Sequence, residues 1–347
     1  MKKIIDLRSD TVTLPSQEMR QAISNAELGD DVFSEDPTIN LLEQKAADMI
    51  GKDAAILVPS GTMGNLASIL VHCDRGTEII LGHKSHTFLY EGGGISAFGG
   101  IHSRQLHNNE DGTIDIEEIK SAIRIKNDHF PPTSAISLEN THNMCFGSPL
   151  SVEYINSVAD IADENGLKLH IDGARLFNAA IALNVAVRDF VKRADSVTFC
   201  MSKGLAAPVG SVVCGNEDFI YEVRRIRKAL GGGMRQAGII AAAGIVSMDM
   251  AEAQLAKDHE NALMLAKGIS TINGLTIDVK KIKTNIIYFG LNSSKISGSQ
   301  LVSAMENQGI KFFETSPNTF RLVTHHGITN RDIEKTIDSL MKILKNH

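Results

Sequence analysis

What constrains this chain most is a succession of short apolar runs, each closed by small polar residues and followed by a helix-like stretch. "AAILVP" (54–59), "TEIILG" (77–82), "SAISLEN" (134–140), "LKLHID" (167–172), "SVTFCM" (196–201) and "GSVVCG" (210–215) have strand length and are mostly apolar. They do not alternate, so both faces of each must be buried. That demands a mostly parallel sheet with helices on either side. The helices are legible between the runs: "SGTMGNLASILVHC" (60–73) opens on a turn, and "VEYINSVADIADENG" (152–166) is amphipathic and ends on Gly166. "LAAPVGS" (205–211) is too short for a crossover, so the last two runs are expected to pair antiparallel.

Ahead of this pattern, "DLRSDTVTLP" (6–15) reads as an extended arm. "TINLLEQKAADMIG" (38–51) reads as a helix closed by Gly51. From about Asp258 the strands "TNIIYFGL" (284–291) and "TFRLVTH" (319–325) alternate with the helices "SGSQLVSAMENQG" (297–309) and "NRDIEKTIDSLMKILKN" (330–346). The expected division is an N-terminal arm and helix over 1–50, a large domain over 51–257 and a small C-terminal α/β domain over 258–347. The last boundary falls in the helix after Gly233. A chain of 347 residues suits two such domains.

A net charge of −6 argues against nucleic acid or an anionic membrane as partner. "MKKIIDLRSD" lacks the apolar core of a secretory signal, and "AGIIAAAGIVSM" (237–248) reads as a buried helix rather than a membrane span. Cys73, Cys145, Cys200 and Cys214 form no CxxC pair and are expected as reduced core residues of a cytoplasmic protein.

Ligands of open α/β sheets bind beyond the carboxyl ends of the strands. Three such ends carry complementary groups. In "VPSGTMGN" the free N–H groups around Gly61 and Thr62 can cradle an anion at a helix start, although a plain N-cap by Ser60 or Thr62 reads the same. In "LHIDGAR" Asp172 ends a strand; a buried carboxylate needs a cation, and Arg175 could itself be that partner. In "SKG" Lys203 follows a strand, where its amine could form an imine with an aldehyde or its stem could snorkel to water. Together the three fit pyridoxal phosphate, which needs a phosphate cradle, an acid beside its ring nitrogen and a lysine for its aldehyde. His86, in "GHKSHTFLYEGG", could stack on such a ring, or serve as a capping or core histidine. Its pairing with His83 lacks further ligands at zinc spacing, so no metal site is expected.

In these motifs the chain resembles the threonine aldolase family of fold-type I pyridoxal phosphate enzymes, the low-specificity L-threonine aldolases in particular. The matching stretches are "DLRSDTVT", "GDDVFSEDPT", "VPSGTMGN", "SHTFLYEGG", "ENTHN", "HIDGARLFNA", "SKGLAAPVGS", "LGGGMRQAG" and "RLVTH", running in order from Asp6 to His325. The resemblance implies an α/β fold of the fold-type I transferase kind, with a mostly parallel seven-stranded sheet and a smaller C-terminal domain. It implies that Lys203 carries the cofactor, Asp172 pairs with its ring nitrogen, His86 stacks on the ring, and Gly61 and Thr62 hold the phosphate. Lys228 and Arg235 are implied to reach a neighbouring subunit's phosphate. Arg175 and Arg321, with Ser9, are implied to hold the substrate carboxylate. His129 is implied to approach the substrate hydroxyl from the adjacent subunit, in a homotetramer with shared active sites.

The implied reaction is retro-aldol cleavage of L-threonine and L-allo-threonine, both β-hydroxy-α-amino acids, to glycine and acetaldehyde. The base is His86, His129 or a water between them, with Glu91 behind. Leu89 departs from the tryptophan of some relatives. Competing readings are a β-eliminating lyase or aminotransferase on the same scaffold and a protein that binds the cofactor without turnover. A nicotinamide dehydrogenase would need GxGxxG, which "SGTMGN" does not supply.

Overall fold

The computed structural model describes residues 3–345. Met1, Lys2, Asn346 and His347, which the expected arm and last helix include, lie outside the described residues. In chain order the elements begin with β1 (Ile5–Asp6), α1 (Gln17–Ser24), α2 (Pro37–Ile50), β2 (Ala54–Val58), α3 (Gly61–His72), β3 (Glu78–Gly82), α4 (His86–Leu89), α5 (Gly94–Ala97) and β4 (His102–Leu106). They continue with α6 (Ile116–Ala122), β5 (Thr133–Glu139), α7 (Val152–Glu164), β6 (Lys168–Asp172), α8 (Leu176–Leu183), α9 (Val187–Val191), β7 (Ser196–Cys200), β8 (Ser211–Gly215) and α10 (Glu217–Ala229). The chain closes with α11 (Gly238–Ser270), β9 (Leu275–Thr276), β10 (Ile286–Leu291), α12 (Gly298–Asn307), β11 (Ile310–Lys311), β12 (Phe313–Ser316), β13 (Thr319–Val323) and α13 (Asn330–Lys345).

The large sheet has seven strands in the order β2-β8-β7-β6-β5-β3-β4. Only β8 runs against its neighbours, β2 and β7. The other pairings are parallel, so the carboxyl ends of β2, β3, β5, β6 and β7 share one edge. All five residues of β3, β7 and β8 are buried, as expected for strands covered on both faces. The antiparallel return through 205–211 is as expected. The edge strand β4 is not legible in the sequence, because "HSRQL" is polar and partly exposed and owes its conformation to pairing with β3.

Two glycines set how α3 meets the sheet. A Cβ at Gly61 would lie 2.7 Å from Cys200 Sγ, and one at Gly64 would lie 2.7 Å from Thr198 Cγ2. Their absence lets the N-terminus of α3 sit directly over the strand ends.

A second core gathers Leu265, Phe289, Leu301 and Phe320 with Ile5 and Leu7 of the arm. Its four-stranded sheet, β12-β13-β10-β9, is antiparallel. The arm is stitched to this core, since β1 pairs in parallel with β11. α11 runs 33 residues through both cores, well beyond the apolar stretch read from the sequence, because no proline interrupts it. An 18-residue window of it has mean hydropathy 1.4, apolar and long enough to cross a membrane. Here Ala241, Ala243 and Leu255 pack into the first core or against α1, and Leu265 and Ile269 into the second. The four cysteines are buried and unpaired.

Candidate active site

Two cavities meet at His86 and Lys203, on the carboxyl edge of the large sheet. The first, about 220 Å³, is closed by the ends of β2, β6 and β7 and by α3. Lys203 stands in the turn after β7. That turn is tied down by Met201 N–H donating to Gly210 O and Ala206 N–H donating to Lys203 O. Asp172 pairs in register with Thr198 of β7, which places carboxylate and lysine on neighbouring strands. Its Oδ1 accepts from Ala174 N–H at 3.1 Å. Burial, reinforced by the Glu139 carboxylate, pushes Asp172 above the usual carboxylate range despite Lys203 and His86 nearby. The salt bridge to Arg175 that the sequence left open is not formed.

Ser60 does cap α3, its Oγ accepting from Met63 N–H at 3.2 Å, but Gly61 and Thr62 in the same first turn line the cavity. The N-cap reading of "SGT" therefore holds, and it leaves the preceding Gly61 and Thr62 N–H groups available to an anion. His86 opens α4. Its N–H donates to Glu139 Oε2 at 2.7 Å, and its Nδ1 lies 2.8 Å from Glu91 Oε1. Burial alone would lower His86, but the Glu91 hydrogen bond and the Asp172 charge outweigh it and hold the imidazole above its usual value. Burial pushes Glu91 up as well.

Ligand atoms of His86, Glu91 and Asp172 lie within 4.8 Å of one another. The sequence offered no such set, because the three come from separate segments. They form the polar wall of the cavity, and Glu91 Oε1 is already engaged by His86 and by Asn65.

The second cavity, about 410 Å³, brings together Ser9, Arg175 and Arg321, the residues expected to hold a substrate carboxylate, with Tyr288 and Asn143. Arg175 is anchored by Asp10: its Nε and Nη2 each donate to an Asp10 oxygen at 2.7 Å. Asn285 Nδ2 supports the same carboxylate at 3.3 Å. Burial would raise Asp10, but Arg175 outweighs it and holds the carboxyl far below the usual range. Arg321 is lowered from its ordinary value by burial and by the Arg175 charge beside it.

The donor set fits pyridoxal phosphate. A buried carboxylate that forms no salt bridge among the described residues opens on the first cavity, opposite a lysine and beside the first turn of α3, where the Gly61 and Thr62 N–H groups precede the one Ser60 caps. A family model described as beta-eliminating lyase matches residues 6–291. The chain belongs to the beta-eliminating lyase family. It is 47% identical over 344 residues to low-specificity L-threonine aldolase 1 of Arabidopsis thaliana, covering 98% of this chain and 96% of that one. It is 40% identical over 330 residues to the low specificity L-threonine aldolase of Escherichia coli (strain K12), covering 95% and 96%. Among solved structures, the threonine aldolase of Leishmania major superposes with a TM-score of 0.83 at 16% identity, covering 98% of this chain and 99% of that one. At that identity the likeness is one of fold, and the fold is that of the fold-type I pyridoxal phosphate enzymes.

Not every residue expected at the site of this family member is brought to it. His129 is exposed, its Nδ1 2.8 Å from Asn127 Oδ1. Lys228 is exposed at the end of α10, and Arg235 is exposed and paired with Asp30 at 3.1 Å. None of the three lines either cavity: His129 lies in the loop before β5, Lys228 on α10, which packs against α3 and β2, and Arg235 between α10 and α11. Leu89 is exposed and also outside both. Sequence reasoning missed Asp10, Asn65 and Glu139. The signals were present: Asp10 adjoins Ser9, and Glu139 closes a buried strand as Asp172 does.

Proposed function

We propose that this member of the beta-eliminating lyase family is an aldehyde-lyase. It cleaves L-threonine and L-allo-threonine, reversibly, to glycine and acetaldehyde. The observation that carries the reading is the joining of the Lys203–Asp172 cavity to one walled by two arginines, which accounts for a cofactor and an amino-acid carboxylate side by side. Bound pyridoxal phosphate supplies the electron sink for the Cα–Cβ cleavage. The chain does the rest. Gly61 and Thr62 would hold the phosphate with their N–H groups, Asp172 would face the ring nitrogen, His86 would pack on the ring, and Lys203 would supply the amine for the aldehyde. Arg175 and Arg321, with Ser9, would grip the substrate carboxylate and so orient the amino acid, selecting which Cα bond breaks.

The β-hydroxyl proton needs a base within hydrogen-bond reach. His86, backed by Glu91, is supported by its position on both cavities. His129 from an adjacent subunit is the second group. The exposure of His129, Lys228 and Arg235 supports a homotetramer in which they complete a neighbour's site. Four buried, unpaired cysteines support a cytoplasmic setting, and the net charge of −6 supports a reading without nucleic-acid or membrane partners.

The test is release of acetaldehyde and glycine from L-threonine by the purified protein with added pyridoxal phosphate, beside Lys203→Ala. Equimolar products, lost in the variant, are expected. Ammonia and a keto acid instead would assign β-elimination to the same site.

A further inference from the structure

A line of buried polar side chains leaves the cofactor cavity and runs between α3 and the sheet to His72 at the end of that helix. His86 Nδ1 lies 2.8 Å from Glu91 Oε1, and Asn65 Nδ2 donates to that same oxygen at 2.9 Å. Asn65 Oδ1 lies 3.2 Å from His170 Nε2. His170 Nδ1 lies 2.8 Å from Ser196 Oγ, which in turn lies 2.7 Å from His72 Nε2. Asn65 is one turn into α3; His170 sits two residues before Asp172 on β6, on the same face; Ser196 is its register partner on β7. Asn65, His170 and Ser196 are at most 2% exposed. Polar groups at such depth cost stability unless bonded, and here each bond is made.

The direction of every bond follows. Burial holds His170 down to about 3 and His72 to about 4, so both rings are neutral near pH 7, with one donor and one acceptor nitrogen each. Asn65 donates to Glu91, so its carbonyl oxygen faces His170 and His170 Nε2 must carry the proton. His170 Nδ1 then accepts from the Ser196 hydroxyl, and Ser196 Oγ accepts from His72 Nε2–H. All donors point toward Glu91, whose other oxygen, Oε2, is buried without a partner among the described residues. Glu91 Oε1 is left as an acceptor from both sides. An amide cannot pass a proton from its oxygen to its nitrogen in this geometry, so the line orients and does not conduct. The charged groups facing the Glu91–His86 pair are Asp172 at the end of β6, Lys203 after β7 and Glu139 at the end of β5.

We propose, resting on the function above, that Asn65 and His170 are positioning residues that hold Glu91 as an acceptor and thereby fix the His86 proton on Nδ1, leaving Nε2 as the nitrogen that changes protonation during turnover. The alternative arrangement, with Asn65 turned over, would set a carbonyl against Glu91 and require Glu91 to be protonated. Distinguishing the two is a tautomer measurement.

The experiment uses the protein with bound pyridoxal phosphate, labelled with ¹⁵N-histidine, and reads ring-nitrogen protonation by long-range ¹⁵N–¹H spectra. The His86 signal is identified by its loss in His86→Asn. Wild type is expected to show the proton on Nδ1. Asn65→Ala and His170→Leu are expected to shift the ring toward an Nε2-protonated or mixed state and to lower kcat about tenfold to a hundredfold with little change in KM. His170→Gln, whose amide can make the same bond to Asn65, is expected to keep the wild-type signal. Asn65→Ala adds no volume to the core and so guards against a leucine variant that does not fold. An unmoved His86 signal in Asn65→Ala, or an Nε2 proton in wild type, overturns the proposal. If the signals behave as expected but threonine is not cleaved, the positioning stands and the reading of the reaction fails.

Discussion

The cavity around Asp172 draws its walls from the large sheet and the helices α3 and α4 that start at its strand ends, whereas the arginine-lined cavity gathers Ser9 from the arm, Arg175 from the loop after β6, and Tyr288 and Arg321 from the strands of the second sheet. The first needs only the large sheet with α3 and α4 packed on it. The second exists only when β1 has paired with β11 and carried Asp10 to Arg175. Their electrostatics differ to match. One keeps a buried carboxylate waiting for a cation the protein does not supply, and the other is neutralised internally by a two-pronged ion pair. The stability stored in the second wall, and withheld from the first, is what a cofactor site needs if the cofactor is to complete it.

The strongest test of that contrast sets two carboxylates against each other. Asp10→Asn leaves the Arg175 guanidinium buried without its partner and is expected to cost about 3–5 kcal/mol, read from urea unfolding. Asp172→Asn removes a charge without a cationic protein partner and is expected to change cofactor-free stability by no more than about 1 kcal/mol, while weakening cofactor binding and activity. Equal losses would erase the distinction.

A smaller effect separates the supports behind the two cavities by pH, since His170 bonds Asn65 behind the first as Asp10 holds Arg175 in the second. The value of His170 in the folded protein, about 3, lies below the roughly 6.5 of an unfolded histidine. Between those values the unfolded chain binds more protons, so stability is complete above about pH 6.5 and falls as pH drops. The loss from pH 6.5 to 5 is about 2 kcal/mol for this residue alone. Asp10, held far below the usual carboxylate range, does not titrate in that window. Unfolding midpoints of wild type and His170→Gln at the two pH values measure the difference, and an unchanged slope in the variant would place the acid sensitivity elsewhere. Smallest is Arg321→Lys, which keeps the charge but loses the fork. The KM for threonine is expected to rise about tenfold, some 1.4 kcal/mol, with kcat and stability nearly unchanged. A fall in kcat of the same size would give Arg321 a role beyond holding substrate.

Legibility divides along the same line. Lys203, Asp172, Gly61 and Thr62 could be found because each follows an apolar run, and strand ends in a parallel sheet share an edge by construction. The seven-stranded sheet was nearly complete in the sequence, missing only β4, whose polar residues take strand form from pairing and not from pattern. Asp10 escaped notice because its partner is 165 positions away. Asn65 and His170 escaped because nothing local marks a polar residue in a helix or strand as bonded through the core.

By itself the sequence determined the layered α/β architecture, the order of its strands along the chain and the residue types at their ends, since burial periodicity and turn chemistry are local properties. Tertiary structure alone decided which carboxylate holds Arg175, which way the hydrogen bonds beneath His86 run, and that the arm belongs with the second core. Those outcomes depend on distances between remote segments and on the low-dielectric surroundings that make one buried partner preferable to another, and no pattern along the chain encodes either.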